Sequence, residues 1–177
     1  GNLGGIVGLN QGGIIASCYS DVVLNNSQYN SNTGGIAGQN QNIINQCSSI
    51  VNILVTNTPH GAGGIAGSNG GFISYCTSLG TIKASDNCGG TVGTNGWAIS
   101  NSWSNVYLDG QNYIGGLIGK NEGGTVENSF ATGTVKGMFY SGGLVGAITG
   151  GTVKNCYSIG KVFGSSGYKG GLIGYRM

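Results

Sequence analysis

Charge is scarce in this sequence: Lys, Arg, Asp and Glu make up 7% of its 177 residues. That excludes a charged disordered chain, and the formal net charge of +2 comes from scattered basic residues. Such a distribution leaves no electrostatic footprint for nucleic acid or for an anionic membrane surface. No stretch approaches the roughly 18 apolar residues of a membrane span, so direct membrane insertion is not expected. Long runs of helix formers are also missing, which argues against helical bundles and coiled coils. There is a single proline and a single histidine. What abounds is glycine, 39 residues, but without the G-x-y period that would make a collagen. Asn, Ser and Thr must then cover the surface that Lys and Glu usually cover. The composition is that of a β protein.

Self-similarity decides which kind. A Gly-Gly doublet followed two residues later by another Gly begins at Gly4, Gly34, Gly63, Gly89, Gly115, Gly142 and Gly170, with spacings of 30, 29, 26, 26, 27 and 28 residues. Six residues beyond the doublet start stand Asn10, Asn40, Asn69, Asn95 and Asn121, with Ile148 the one departure. A second anchor is an aliphatic residue followed three positions later by Cys or Ser: Ile15 and Cys18, Ile44 and Cys47, Ile73 and Cys76, Ile99 and Ser102, Val126 and Ser129, Val153 and Cys156. From the Cys or Ser onward, every second residue is small or aliphatic, ending on Leu24, Ile53, Ile82, Leu108, Val135 and Val162. That alternation marks a strand with one face inward. The odd spacing between the aliphatic and the Cys or Ser cannot place both inward on one straight strand, so a corner separates them.

Each repeat thus reads as three short strands and three bends, with glycines expected to supply the bends through positive φ. The predicted fold is all-β: a parallel β-solenoid of about six coils, one domain over residues 1–177, with coils starting at 4, 34, 63, 89, 115 and 142 and a truncated seventh at 170. At about 4.8 Å per coil, six coils span about 29 Å. A lone coil cannot outweigh the ~1–2 kcal/mol of backbone entropy per fixed residue, so stability must come from stacking. Length varies mainly in one segment, from Asn25 to Thr33 and from Leu54 to Ala62 in the first two repeats, nine residues each against six or seven later. Insertions there are expected to project from one edge of the rod, where solenoids carry binding loops.

Few residues invite chemistry. Cys18, Cys47, Cys76 and Cys156 share a ladder position with Ser, which suggests interior free thiols rather than a disulfide framework. Cys88 stands apart and is expected to be the most accessible thiol. A zinc site lacks C-x-x-C spacing and has only His60 to help. The asparagine ladder (Asn10, Asn40, Asn69, Asn95, Asn121) is expected to satisfy a bend by bonding to backbone and to the amide of the next coil. Aromatics gather toward the C-terminus: Trp103, Phe130 and Tyr157 follow the Cys or Ser position, and Tyr113, Tyr140 and Tyr168 precede doublets by two residues. Stacking of rings on consecutive coils is one reading; an exposed stripe for a glycan or protein is the other. The five acids, Asp21, Asp86, Asp109, Glu122 and Glu127, fall at unrelated repeat positions, so a paired-carboxylate site has no basis. H-E-x-x-H, G-x-S-x-G and the Walker loop are absent. No catalytic residue, metal ligand or cofactor is indicated.

The unit Gly116-Leu117-Ile118-Gly119, followed by Asn121, Gly123-Gly124-Thr125-Val126 and Asn128-Ser129-Phe130-Ala131-Thr132-Gly133, resembles the GLUG repeat. Gly143-Leu144-Val145-Gly146 and Gly171-Leu172-Ile173-Gly174 match its core; earlier copies read G-I-x-G, and Gly90-Thr91-Val92-Gly93 departs further. The resemblance implies secreted or surface-anchored microbial proteins, including adhesin-like chains and the non-catalytic regions of some immunoglobulin A metallopeptidases, with no catalytic residues in the repeat. The expected role is a non-enzymatic spacer at the cell surface that binds a host or matrix protein or glycan through its loop edge. Open β ends invite pairing, so the alternative is a subunit that stacks on itself end to end into an extracellular filament.

Overall fold

The computed structural model describes residues 1–27, 31–56 and 61–177. They form a parallel β-solenoid of about six turns with three sheets running along it. One sheet holds seven strands, from Val7–Asn10 in the first coil to Ile173–Arg176 in the seventh. A second holds six, from Ile14–Ala16 to Thr152–Lys154. The third contains the long strands Tyr19–Asn26, Ser48–Val55, Thr77–Gly89 and Trp103–Gly115. The repeat frame read from sequence is the structural frame: Ile73 pairs in register with Ile44 on one side and Ile99 on the other. In coils three and four, whose variable segment is six residues long, the third strand runs unbroken into the next doublet; in coil five, of the same length, it breaks at Met138 and Phe139.

The glycine doublet has a different cause from the one expected. Among the described residues, positive φ falls on eight non-glycines and on Gly80, Gly151, Gly164 and Gly167, none of them in a doublet. Close approach is what demands the doublet. A Cβ on its first glycine would sit 1.9 Å from the Val7 carbonyl oxygen at Gly4 and 2.0 Å from that of Ala37 at Gly34. On its second glycine, a Cβ would strike the third strand: Ser78 Cβ at 2.5 Å from Gly64, Ala131 Cβ at 2.8 Å from Gly116. Here the doublet backbone crosses the interior and meets the small-residue column. Ser20, Ser49, Ser78 and Ser104 donate to the carbonyls of Gly35, Gly64, Gly90 and Gly116 of the next coil at 2.5–2.6 Å. This polar spine separates two apolar columns, one including Ile36, Ile65, Ile73 and Leu117, the other Ile53, Ile82, Leu108 and Ile114.

The bends themselves belong to other residues. Between the second and third strands the corner is Ser17, Gln46, Tyr75, Asn101, Asn128 or Asn155, each left-handed with φ of 48–54°. The next residue is the Cys or Ser of the ladder, and its side chain closes the corner by donating to the carbonyl two residues back: Cys76 Sγ to Ser74 at 3.2 Å, Ser102 Oγ to Ser100 at 2.8 Å, Ser129 Oγ to Glu127 at 2.8 Å. The same atom accepts a backbone N–H from the coil before, as Cys47 Sγ does from Cys18 at 3.4 Å and Ser102 Oγ from Cys76 at 3.0 Å. Sulfur and oxygen interchange because both are small and both bond in this way.

Candidate functional site

All five cysteines are free thiols. Burial pushes the Cys47 and Cys156 thiols above their ordinary value and Cys76 up to about 12. Cys88, expected to be the accessible one, is fully buried in the second apolar column, in register with Ala62 and Ile114. Loss of solvation raises its thiol furthest, with a smaller contribution from Asp109. Its position, one residue before the doublet, points inward in other coils too, where Thr33, Ala62, Ile114 and Ser141 are equally buried.

The asparagines form a continuous chain of amides. Asn10 donates to Asn40, Asn40 to Asn69, Asn69 to Asn95 and Asn95 to Asn121 at 2.8–2.9 Å, and each inner amide also donates to a carbonyl of its own corner, as Asn69 does to Gly71 at 2.8 Å. At Ile148 the ladder ends, and Asn121 donates to the Gly150 carbonyl instead. All five are buried, with their amide bonds made to other parts of the protein.

The aromatics form two columns. Trp103, Phe130 and Tyr157 stack with ring centroids 5.8 and 4.8 Å apart and planes within 3°. Tyr113, Tyr140 and Tyr168 stack at 4.9 and 5.9 Å, with Tyr175 tilted against the last two. Inner rings therefore spend their faces on one another and turn edges to solvent. The last members, Tyr157 at 52% and Tyr168 at 61%, are exposed, and the other four rings are half-buried.

A concavity lies on the loop edge. It is a groove of 560 Å³ that crosses five coils just beyond the aliphatic ladder of the third strands. One rank along it is Leu54, Lys83, Asp109 and Lys136, paired in register. The next rank shrinks along the axis from Val55 through Ala84 to Gly110 and Gly137. Gly110 and Gly137 have no side chain because Ile114 and Ser141 fill the interior there: a Cβ on Gly110 would lie 2.6 Å from Ile114 Cδ1, and one on Gly137 2.1 Å from Ser141 Oγ. Thr56, Ser85, Gln111, Met138 and Ser165 form the far wall. Within it, Lys136 Nζ meets Asp109 Oδ2 at 3.0 Å, and that carboxylate holds the ammonium above its ordinary pKa. The sequence located this edge by its length variation. The shrinking floor was visible only once the coils were in register.

The acids are spread over the surface: Glu122 pairs with Lys120, Glu127 with Lys154, and Asp86 accepts from Asn112 at 2.6 Å. Among the described residues, no group of three or more His, Cys, Asp and Glu is placed to hold a metal ion. His60 and part of both nine-residue segments lie outside the described residues.

The family described as the GLUG motif matches residues 110–136 and 139–162, which takes in coils five and most of six together with the end of coil four. No curated protein and no solved structure matches the chain.

Proposed function

Since the chain carries GLUG repeats, we propose that it is a non-enzymatic structural and adhesive module of a secreted or cell-surface protein. In this reading the rod holds other parts of that protein apart and binds a host or matrix protein or glycan in the groove on its loop edge. The observation that carries it is the groove itself, which spans five coils on the edge where repeat length varies most and mixes apolar floor with Lys83, Asp109 and Lys136. A rigid stack presents such a surface at little ordering cost, because its central ranks, Lys83 with Asp109 and Ala84 with Gly110, are held in register by strand pairing. The test is binding of the intact chain to immobilised collagen, fibronectin and laminin and to a glycan array. Saturable binding that falls at least tenfold in a Lys83→Glu, Met138→Trp double variant, with the melting temperature unchanged, supports it. Binding that ignores the double variant, or no binding to any surface, rejects the adhesive role.

The alternative is end-to-end self-assembly, favoured by one feature: interior residues of both end coils, Val7, Ile15 and Cys18 at one end and Val153, Cys156 and Ile173 at the other, are only partly buried. Further coils of a longer chain would cover them equally well. Sedimentation velocity over a concentration series separates the two. Growth with concentration, lost on removal of Gly170 to Met177, supports assembly, and a monomer throughout rejects it.

A further inference from the structure

One aromatic pair breaks the stacking rule. Trp97 and Phe72 meet edge to face, with centroids 6.3 Å apart and planes at 85°, on the corner between the first and second sheets, away from the loop edge. Both are open to solvent, at 54% and 52%. Apart from Phe72, neighbouring coils leave the indole uncovered, because Ala98 is in register with Phe72 and Thr125, which places Gly71 and Gly124 on either side of Trp97. Coil five also carries one residue more than coil four at this corner, five steps from Asn121 to Val126 against four from Asn95 to Ile99. The result is a cleft of 300 Å³ lined by Phe72, Trp97, Ala98, Gly123, Gly124 and Thr125. Two of its glycines differ in kind. Gly124 is sterically required, since a Cβ there would lie 2.0 Å from the Trp97 carbonyl oxygen, whereas a Cβ on Gly123 would find its nearest neighbour at 4.0 Å.

We propose that this cleft binds a neutral saccharide, with one sugar ring lying on the free indole face of Trp97. A pyranose ring presents an apolar face of C–H groups and a rim of hydroxyls. A π face carries partial negative charge and suits those C–H groups, Phe72 closes the side, and the Thr125 hydroxyl and the exposed backbone at Gly123 meet the rim. No charged side chain lines the cleft, which selects an uncharged ligand, and its volume is at the small end for ligand sites, the scale of a single ring. A polyproline peptide needs an aromatic-lined groove several residues long, and this pair closes at one end. The inner rings of the Trp103 and Tyr113 columns cannot act in this way, as their faces are covered.

The chain has two tryptophans, so a Trp103→Phe background, which keeps a ring in the column, makes Trp97 the sole indole. Titrating it with neutral oligomers of glucose, N-acetylglucosamine, galactose and mannose is expected to shift and quench its emission saturably with at least one of them. By calorimetry on the full chain, Trp97→Ala is expected to abolish that binding. Gly123→Gln, which fills the cleft, is expected to weaken it at least tenfold with circular dichroism and melting temperature unchanged. Lys83→Glu in the edge groove is expected to leave it unaffected, which keeps this site separable from the loop-edge reading. No saturable response to any of the four sugars overturns the proposal, as does binding that survives Trp97→Ala. Competition by a proline-rich decapeptide without sugar binding overturns it in favour of a peptide site, and burial of Trp97 in a concentration-dependent dimer overturns it in favour of a second copy.

Discussion

At the scale of single residues, the ladder shared by Cys and Ser is explained by two bonds made from one atom. Sγ or Oγ donates back over the left-handed corner and accepts an N–H from the coil before, so the position requires a short side chain that does both. Burial of the thiols has a consequence for pH. Cys47, Cys76, Cys88 and Cys156 all have folded-state pKa values above the ordinary 9.0, so the folded state keeps protons that the unfolded chain releases. Their contribution is complete below about pH 9 and is lost as pH rises through the folded values. Thermal melts from pH 7 to 11 should therefore show stability falling above pH 9. Replacing Cys76 by Ser, the residue its neighbouring coil uses, should reduce that slope by up to about 1.4 kcal/mol per pH unit, one proton's worth. An unchanged slope would mean that Cys76 is solvated in the folded state.

At the scale of the strand and its corner, eight non-glycines among the described residues hold a left-handed backbone. Asn tolerates that region far better than other non-glycines, and ordinary side chains lose roughly 1–2 kcal/mol there. Coils four to six place Asn101, Asn128 and Asn155 at the corner, whereas coil three places Tyr75, 60% exposed with φ of 54°. Tyr75→Asn should therefore stabilise the protein by about 0.5–1 kcal/mol, read as a raised midpoint in urea with unchanged slope. If Tyr75 made packing contacts worth more than its strain, the midpoint would fall. The sequence carried this signal in the three asparagines, but with glycine so abundant the bends were assigned to glycine. What distinguishes the two is what passes near the doublet, and for its second glycine that is a side chain of the third strand distant in sequence, as Ser78 is from Gly64 and Ala131 from Gly116.

For the whole molecule, each coil touches only its neighbours, so stability resides in the interfaces. Ile73, 1% exposed between Ile44 and Ile99, sits in the middle of that lattice. Ile73→Asp buries a charge with no partner and should cost about 4 kcal/mol or more, enough to unfold adjacent coils. Deleting residues 28–30 brings the Asn25 to Thr33 segment to the six residues found in coils three to five, and loop-closure entropy changes slowly with length. Circular dichroism and melting should be close to those of the parent. Equal damage from the two changes would show that the interior and the edge had been assigned wrongly.

The sequence by itself determined the fold class, the coil boundaries and the inward ladders, because a stacked repeat writes the same physical demand at the same place in every coil. It also located the loop edge, since insertion is tolerated only where no neighbouring coil must match. Tertiary structure alone decided three other matters. Cys88 proved buried because the residue before the doublet faces the interior in the adjoining coils as well, at Ala62 and Ile114. The predicted aromatic residues turned out to cover one another, while Trp97 and Phe72, in different ladder columns, meet only when coils three and four are superposed. The groove floor, likewise, is a gradient from Val55 to Gly137 that runs across the chain direction. Periodicity records what every coil needs; it is silent on what one coil does to the next, and the surface features of this protein are made there.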